Sequence, residues 1–276
     1  MNSSTPVLFR LLKRLHRRKL RGSYRLLQTC RPLWASCVPV YSLPSHVRVA
    51  VPIGRKENCW DITDILDYES ELIHAFCAAL APLSDVTLFD CGADIGVFSA
   101  LVCSRCDRIR RVLAFEPNPD IQDVFQQNIL SLPNGEPRAV ALGNFAGFGK
   151  LERPAYDDSD HARYLVPSTQ GFPLVPLDSF RAFGGNIAIK IDVEGGELDV
   201  ICGAVETIRR ASECVLTLEA HPSVCERTRR RPNDCMTFLA SIRPFRFLVA
   251  ETGRWVETSE DIIDPGRPLN IVATTI

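Results

Sequence analysis

No uncharged stretch of the 276-residue chain is long enough to cross a bilayer. The best, residues 32–47, is broken by Pro39 and Pro44 and falls short of the ~20 apolar residues a spanning helix needs. No second CxxC accompanies Cys103-Ser-Arg-Cys106, and His221, Cys225 and Cys235 lack zinc-finger spacing, so no structural zinc site is expected. The 11 cysteines are an odd number scattered through segments that read as helices and strands, which excludes a disulfide framework and points to a reducing, cytoplasmic setting. No internal repeat or low-complexity tract is visible. Acidic residues are missing altogether before Glu57.

What is present is close to a globular average, with 46% apolar and 24% charged residues. The charge is unevenly placed. Residues 1–56 hold 12 Lys and Arg and no acid, whereas the remainder holds 20 basic against 33 acidic residues. An acidic body argues against a nucleic-acid groove and gives the basic arm its own question. Within residues 1–31, Leu8, Leu11, Leu12 and Leu15 recur at helical spacing among Arg10, Lys13, Arg14, Arg17 and Arg18. This predicts a basic amphipathic helix with three readings: a peripheral anchor on anionic membrane, an organellar presequence, or a solvated arm folded against the acidic body. The anchor is favoured. The organisation expected is an arm and Pro-rich linker over 1–46 and one domain over 47–276.

Past the linker, residues 47–51 alternate like a strand, and 67–83 carry Leu72, Ile73, Phe76 and Leu80 at helical period. Strands and helices then alternate as in parallel βαβ units: strands at 87–90, 111–116, 138–142, 186–192 and 214–219, helices at 97–103, 120–132, 197–210 and 233–242. A closing strand pair is expected at 245–251 and 269–275. Residues 143–182, rich in Gly and Pro, read as an insertion of hairpins and loops.

Four strand ends carry chemistry. Asp90-Cys91-Gly92-Ala93-Asp94-Ile95-Gly96 runs from a strand through a glycine turn into a helix, a place where backbone can approach a ligand. Its G-x-x-x-G spacing is not the G-x-G-x-x-G dinucleotide fingerprint, which disfavours a nicotinamide oxidoreductase. Glu116 ends the next strand, where one carboxylate can accept both hydroxyls of a ribose; the competing reading is a helix-entry acid before Pro119. In Lys190-Ile191-Asp192-Val193-Glu194-Gly195-Gly196-Glu197, alternation puts Lys190 and Asp192 on one face of an otherwise apolar strand. Such charges are costly unless paired or used, as a structural network or as chemistry. Glu219 and His221 end a neighbouring strand, where open α/β sheets bind ligands.

These elements, together with Phe115-Glu116-Pro117-Asn118-Pro119, Val175-Pro176-Leu177-Asp178-Ser179 and Leu218-Glu219-Ala220-His221, occur in the order that resembles an FkbM-type S-adenosylmethionine-dependent methyltransferase over residues 47–276. The resemblance implies an α/β, Rossmann-like seven-stranded sheet with one antiparallel strand and helices on both faces. It implies S-adenosylmethionine held by Asp90, Gly92, Asp94, Gly96, Glu116 and Asn118, with Ala141 and Leu142 flanking the adenine. Asp94 stands where the family usually has Asn. The acceptor implied is a hydroxyl of a glycan, glycolipid or secondary metabolite. Asp192 and His221 are the candidate bases, and Lys190 or Glu194 would position the acceptor or orient the base. Nitrogen methylation and a noncatalytic cofactor-binding module are the rival functions. Asp192, Glu194, Glu219 and His221 would suit a hard divalent cation, yet one sequence does not show that they converge, and no metal is assigned.

Overall fold

The structure is a computed structural model and describes residues 5–34, 36–54, 59–152, 163–181, 184–220, 228, 231–256 and 268–276. The basic arm forms two helices, α1 (Val7–Arg17) and α2 (Ser23–Cys30), where the sequence pattern suggested one. Gly22, at φ +83°, makes the left-handed turn that separates them. The linker then enters an antiparallel hairpin, β1 (Val40–Ser42) with β2 (Arg48–Ala50).

The helix expected at 67–83 is divided into α3 (Ile62–Asp67) and α4 (Ser70–Leu80). Asp61 and Asp64 close a reciprocal capping box at the start of α3. Glu69, at φ +44°, breaks the run and begins α4. Leu72, Ile73, Phe76 and Leu80 give α4 its buried face, as their spacing requires.

The body alternates as read: β3 (Val86–Cys91), α5 (Val97–Arg105), β4 (Ile109–Phe115), α6 (Gln122–Leu130) and β5 (Gly135–Arg138). The strand expected at 138–142 is split. After Arg138, which pairs with Phe115, the chain leaves the main sheet, and β6 (Ala141–Leu142) joins a second, four-stranded sheet with β7 (Gly147–Glu152), β8 (Tyr164–Ser168) and β9 (Phe172–Val175) in the order β6-β9-β7-β8. That small sheet is the insertion. The chain returns through β10 (Ile187–Ile191), α7 (Glu197–Cys202), α8 (Val205–Arg210), β11 (Cys214–Ala220), α9 (Pro232–Ile242), β12 (Phe245–Val249), β13 (Arg254–Val256) and β14 (Leu269–Thr275). The single helix expected at 197–210 is kinked at Gly203, where a Cβ would lie 2.0 Å from the Gly143 carbonyl oxygen.

The main sheet has the order β13-β12-β14-β11-β10-β3-β4-β5, eight strands against the expected seven. The extra member is β13, an edge strand hairpinned onto β12. β14 runs antiparallel between β11 and β12, the reversed strand that was expected. Alternation sorts the core into two layers. Leu88, Val112, Ala188 and Val215 face α4, α5 and α6, while Phe89, Leu113, Ile189 and Leu216 face α7, α8 and α9. α5 is buried from Val97 to Ser104 with no apolar stripe, because α4, α6 and the sheet enclose it. Asn128 bonds both the N–H (2.7 Å) and the carbonyl (2.8 Å) of Ala50 and the Ile95 carbonyl (2.7 Å), tying the entry hairpin to the glycine turn.

Candidate active site

The parallel register aligns Thr217, Lys190 and Asp90 side by side on three neighbouring strands. Period-two alternation turns all three toward the α4–α5 face. Asp90 is fully buried, with one oxygen accepting the Ser99 hydroxyl (2.6 Å) and the other 3.6 Å from the Lys190 ammonium. Lys190 Nζ also donates to the Gly92 carbonyl (2.6 Å) and pairs with Asp192 Oδ2 (3.1 Å). Burial opposes the charge on Lys190, but Asp192, then Asp90 and Glu69 outweigh it and hold its pKa above the ordinary lysine range. The lysine is therefore a fixed cation that joins the glycine turn to the Asp192 carboxylate.

The turn itself is set by close backbone approach. Gly92 lies at φ +80°, and a Cβ there would come within 1.9 Å of the Asp192 carbonyl oxygen. The Asp192 N–H donates to the Cys91 carbonyl (3.1 Å), locking the two strand ends together. Asp94, at φ +52°, directs its N–H to Glu116 Oε2 (3.0 Å), and Asn118 sends its own to Oε1 (2.8 Å). Burial first, and then the Asp94 charge, push the Glu116 pKa up to about 7 despite these two donors. Asn118 caps the helical turn that follows, its Oδ1 accepting from the Asp120 N–H (3.1 Å) and Arg163 (3.3 Å).

These groups border one cavity of about 290 Å³ at the carboxyl ends of the parallel strands. Gly92, Asp94, Glu116, Asn118, Ala141, Leu142, Lys190, Asp192 and Glu194 all line it. Asp90 and Gly96 do not: Asp90 lies beneath Lys190, and Gly96, at φ +83°, starts α5 and packs on Ile129. Ala141 and Leu142 reach the cavity from the small sheet and not from the end of a main-sheet strand. His221 lies outside the described residues. Among the described residues no three His, Cys, Asp or Glu side chains are arranged to hold a metal ion.

Sequence reasoning did not anticipate Trp60, Tyr68, Glu69 and Arg163, which also line the cavity. Trp60 and Tyr68 pack ring to ring at 5.2 Å across α3. None of these residues belongs to a spaced motif; they arrive just before α3, on the α3–α4 break and on the insertion. Glu219, near the carboxyl end of β11, also lines the cavity. Burial, followed by the charges of Asp192, Glu194 and Glu69, pushes its pKa up to about 8. The cavity thus has an end where Glu116 is held by backbone donors and an end where carboxylates crowd one another.

The donor set fits S-adenosylmethionine. The lone pairs of Glu116 not used by the turn can accept ribose hydroxyls, Ile121, Val140, Leu142, Leu151 and Leu165 offer an apolar wall to an adenine, and Asp94 and Asp192 complement a sulfonium charge.

A sheet with this strand order, a reversed β14 and a site at the carboxyl ends of its parallel strands has the class I methyltransferase fold. Residues 90–247 match the Methyltransferase FkbM domain, and the chain belongs to that family. Hexuronic acid methyltransferase AglP of Haloferax volcanii is 26% identical over 171 residues, 59% of this chain and 67% of that protein. The crystal structure of methyltransferase FkbM from Methylobacillus flagellatus aligns with a TM-score of 0.43 and 19% identity over 68% of this chain and 43% of that one, so the chain spans less than half of that protein. N-methyltransferase NodS from Bradyrhizobium japonicum aligns at TM-score 0.43 and 12% identity, over 77% of this chain and 98% of NodS.

Proposed function

We propose that the chain transfers the methyl group of S-adenosylmethionine to a hydroxyl oxygen of a glycan or hydroxylated small molecule. The observation that carries this reading is the pairing, in one cavity, of Glu116 held by two backbone donors with Glu219 kept proton-avid at the opposite end. When bound, the cofactor supplies a methyl carbon made electrophilic by a sulfonium. The chain's own work is to hold and to deprotonate. Gly92, Asp94, Glu116 and Asn118 fix the cofactor, and Lys190 keeps Asp192 oriented toward the acceptor end. An unactivated hydroxyl must lose its proton as its oxygen attacks, and a positioned base contributes about 10²–10⁴-fold. Glu219 takes that proton with Asp192 beside it, and His221 stays a candidate on its place in the sequence. The rest of the barrier falls through alignment of oxygen and methyl carbon.

The acceptor class draws on AglP, whose name describes a hexuronic acid methyltransferase. Incubating the protein with isotope-labelled S-adenosylmethionine and native glycan extracts, followed by mass spectrometry, tests the reading. A labelled ether on a sugar hydroxyl is expected. Label on nitrogen would replace the oxygen reading with amine methylation, and absence of both transfer and cofactor binding would leave a noncatalytic module.

A further inference from the structure

The basic arm is built with two unlike sides. Inward, Phe9, Leu12, Leu27 and Trp34 close a small core of their own with Ile53 and Cys59. Lys13 is buried in the same face and pairs with Asp64 at 2.8 Å, and Arg17 pairs with Asp61. Those two acids are the α3 capping box, so the arm is docked on the body and not trailing from it.

Outward, the composition changes. Among the described residues, seven of the twelve large apolar side chains left exposed lie within residues 7–33: Val7, Leu8, Leu11, Leu20, Tyr24, Leu26 and Leu33. Leu8 is 46%, Leu11 52% and Leu33 70% exposed. At about 100° per residue around α1, Leu8 and Leu11 fall on one flank of the outer half and Arg10 and Arg14 on the other, with Val7 and Arg18 outermost. Arg10, Arg14, Arg18, Lys19, Arg21 and Arg25 are all exposed, and no acidic residue precedes Glu57 in the sequence. The expected apolar row is accordingly split: Leu12 serves the docked side, while Leu8 and Leu11 are left facing solvent.

Apolar side chains alone would suit a protein partner, and cations alone a nucleic acid. Leucines flanked by arginines along one exposed helix are what an anionic bilayer surface accommodates, with the alkyl groups at the acyl boundary and the guanidinium groups among the headgroup phosphates. We propose that the outer face of α1 and α2 docks on anionic lipid, independently of the methyl-transfer reading. The attachment lies next to the cavity wall, because Lys13 grips α3, whose two ends carry Trp60 and Tyr68.

Flotation of the full chain with phosphatidylcholine vesicles, with and without phosphatidylglycerol, tests the proposal. Binding only to the phosphatidylglycerol vesicles, reversed by raised salt, is expected. Arg10→Glu/Arg14→Glu/Arg18→Glu should weaken partitioning by about a hundredfold, and Leu8→Ser/Leu11→Ser by about tenfold, since all five side chains are exposed and lie off the inner face. Unchanged melting temperature and S-adenosylmethionine affinity in both variants separate lost docking from lost folding. Failure to float at low salt overturns the proposal. So does equal flotation of the variants, or binding to a soluble polyanion as tight as to vesicles and indifferent to Leu8 and Leu11.

Discussion

The two ends of the cavity are both lined by half-buried carboxylates with raised pKa values, yet they are built on opposite terms. At the turn end, Glu116 receives one backbone N–H on each oxygen and its like-charged neighbour is Asp94. At the strand end, Glu219 is surrounded by Asp192, Glu194 and Glu69. Backbone donors cannot move away, so Glu116 is suited to holding a ligand in one pose. Crowded like charges leave a group sensitive to its proton, which suits Glu219 to exchanging one. Desolvation is common to the two ends; under the proposed function, the identity of the neighbours separates binding from acid–base work.

The comparison can be broken at its centre, since Lys190 serves both ends. Lys190→Met leaves Asp90 and Asp192 without their cation, and removing one partner of a buried pair typically costs about 3–5 kcal/mol. Urea denaturation should show that loss, and adding Asp90→Asn should restore most of it; an unchanged midpoint would mean that Ser99 alone suffices for Asp90. At the strand end, Glu219→Gln should lower turnover by about a hundredfold or more with little change in cofactor affinity. Because the proposed base must be deprotonated to work, wild-type turnover should rise as pH increases through about 8, and the variant should lack that limb. A retained limb would assign it to another group.

At the turn end, Glu116→Gln should weaken S-adenosylmethionine binding by about ten- to a hundredfold in calorimetry, leaving bound-state turnover much less affected. Wild-type affinity should fall as pH drops through about 7, where Glu116 takes up a proton. The smallest effect sharpens the same contrast. Asp94→Asn removes the like charge that helps raise Glu116, so the falling limb should move to lower pH and the share of its own high-pH affinity that the variant keeps at pH 6 should exceed the wild type's by roughly threefold. A limb that does not move would leave burial as the whole cause.

Where side chains obey a period, the sequence could be read. The alternation of apolar residues located β3, β4, β10 and β11, and the strand-end motifs gathered Gly92, Asp94, Glu116, Asp192 and Glu194 about one cavity. What escaped was set by contacts between distant segments. Nothing local marks Glu69 for a left-handed backbone, so the α3–α4 break and the wall that Trp60 and Tyr68 form were not seen. Asn128 resembles an ordinary helix polar residue until its three bonds to Ala50 and Ile95 are traced. The arm's helical period was plain, but which leucines would meet the body depended on Asp61 and Asp64, more than forty positions away.

The joint between Gly203 and Gly143 has a consequence for how this fold can diversify. The insertion is fastened there by backbone packed on backbone, and nearby Asp178 accepts the N–H groups of Glu206 (3.0 Å) and Thr207 (2.8 Å) at the start of α8. Both roots of the small sheet are thus pinned to the α7–α8 kink by contacts that owe nothing to the β7–β8 hairpin between them. That hairpin, which brings Leu151, Arg163 and Leu165 to the cavity, is free to be exchanged or lengthened as a cassette. Changes grafted there would reshape the apolar wall of the cavity while the glycine turn and the Lys190 cluster stay as they are.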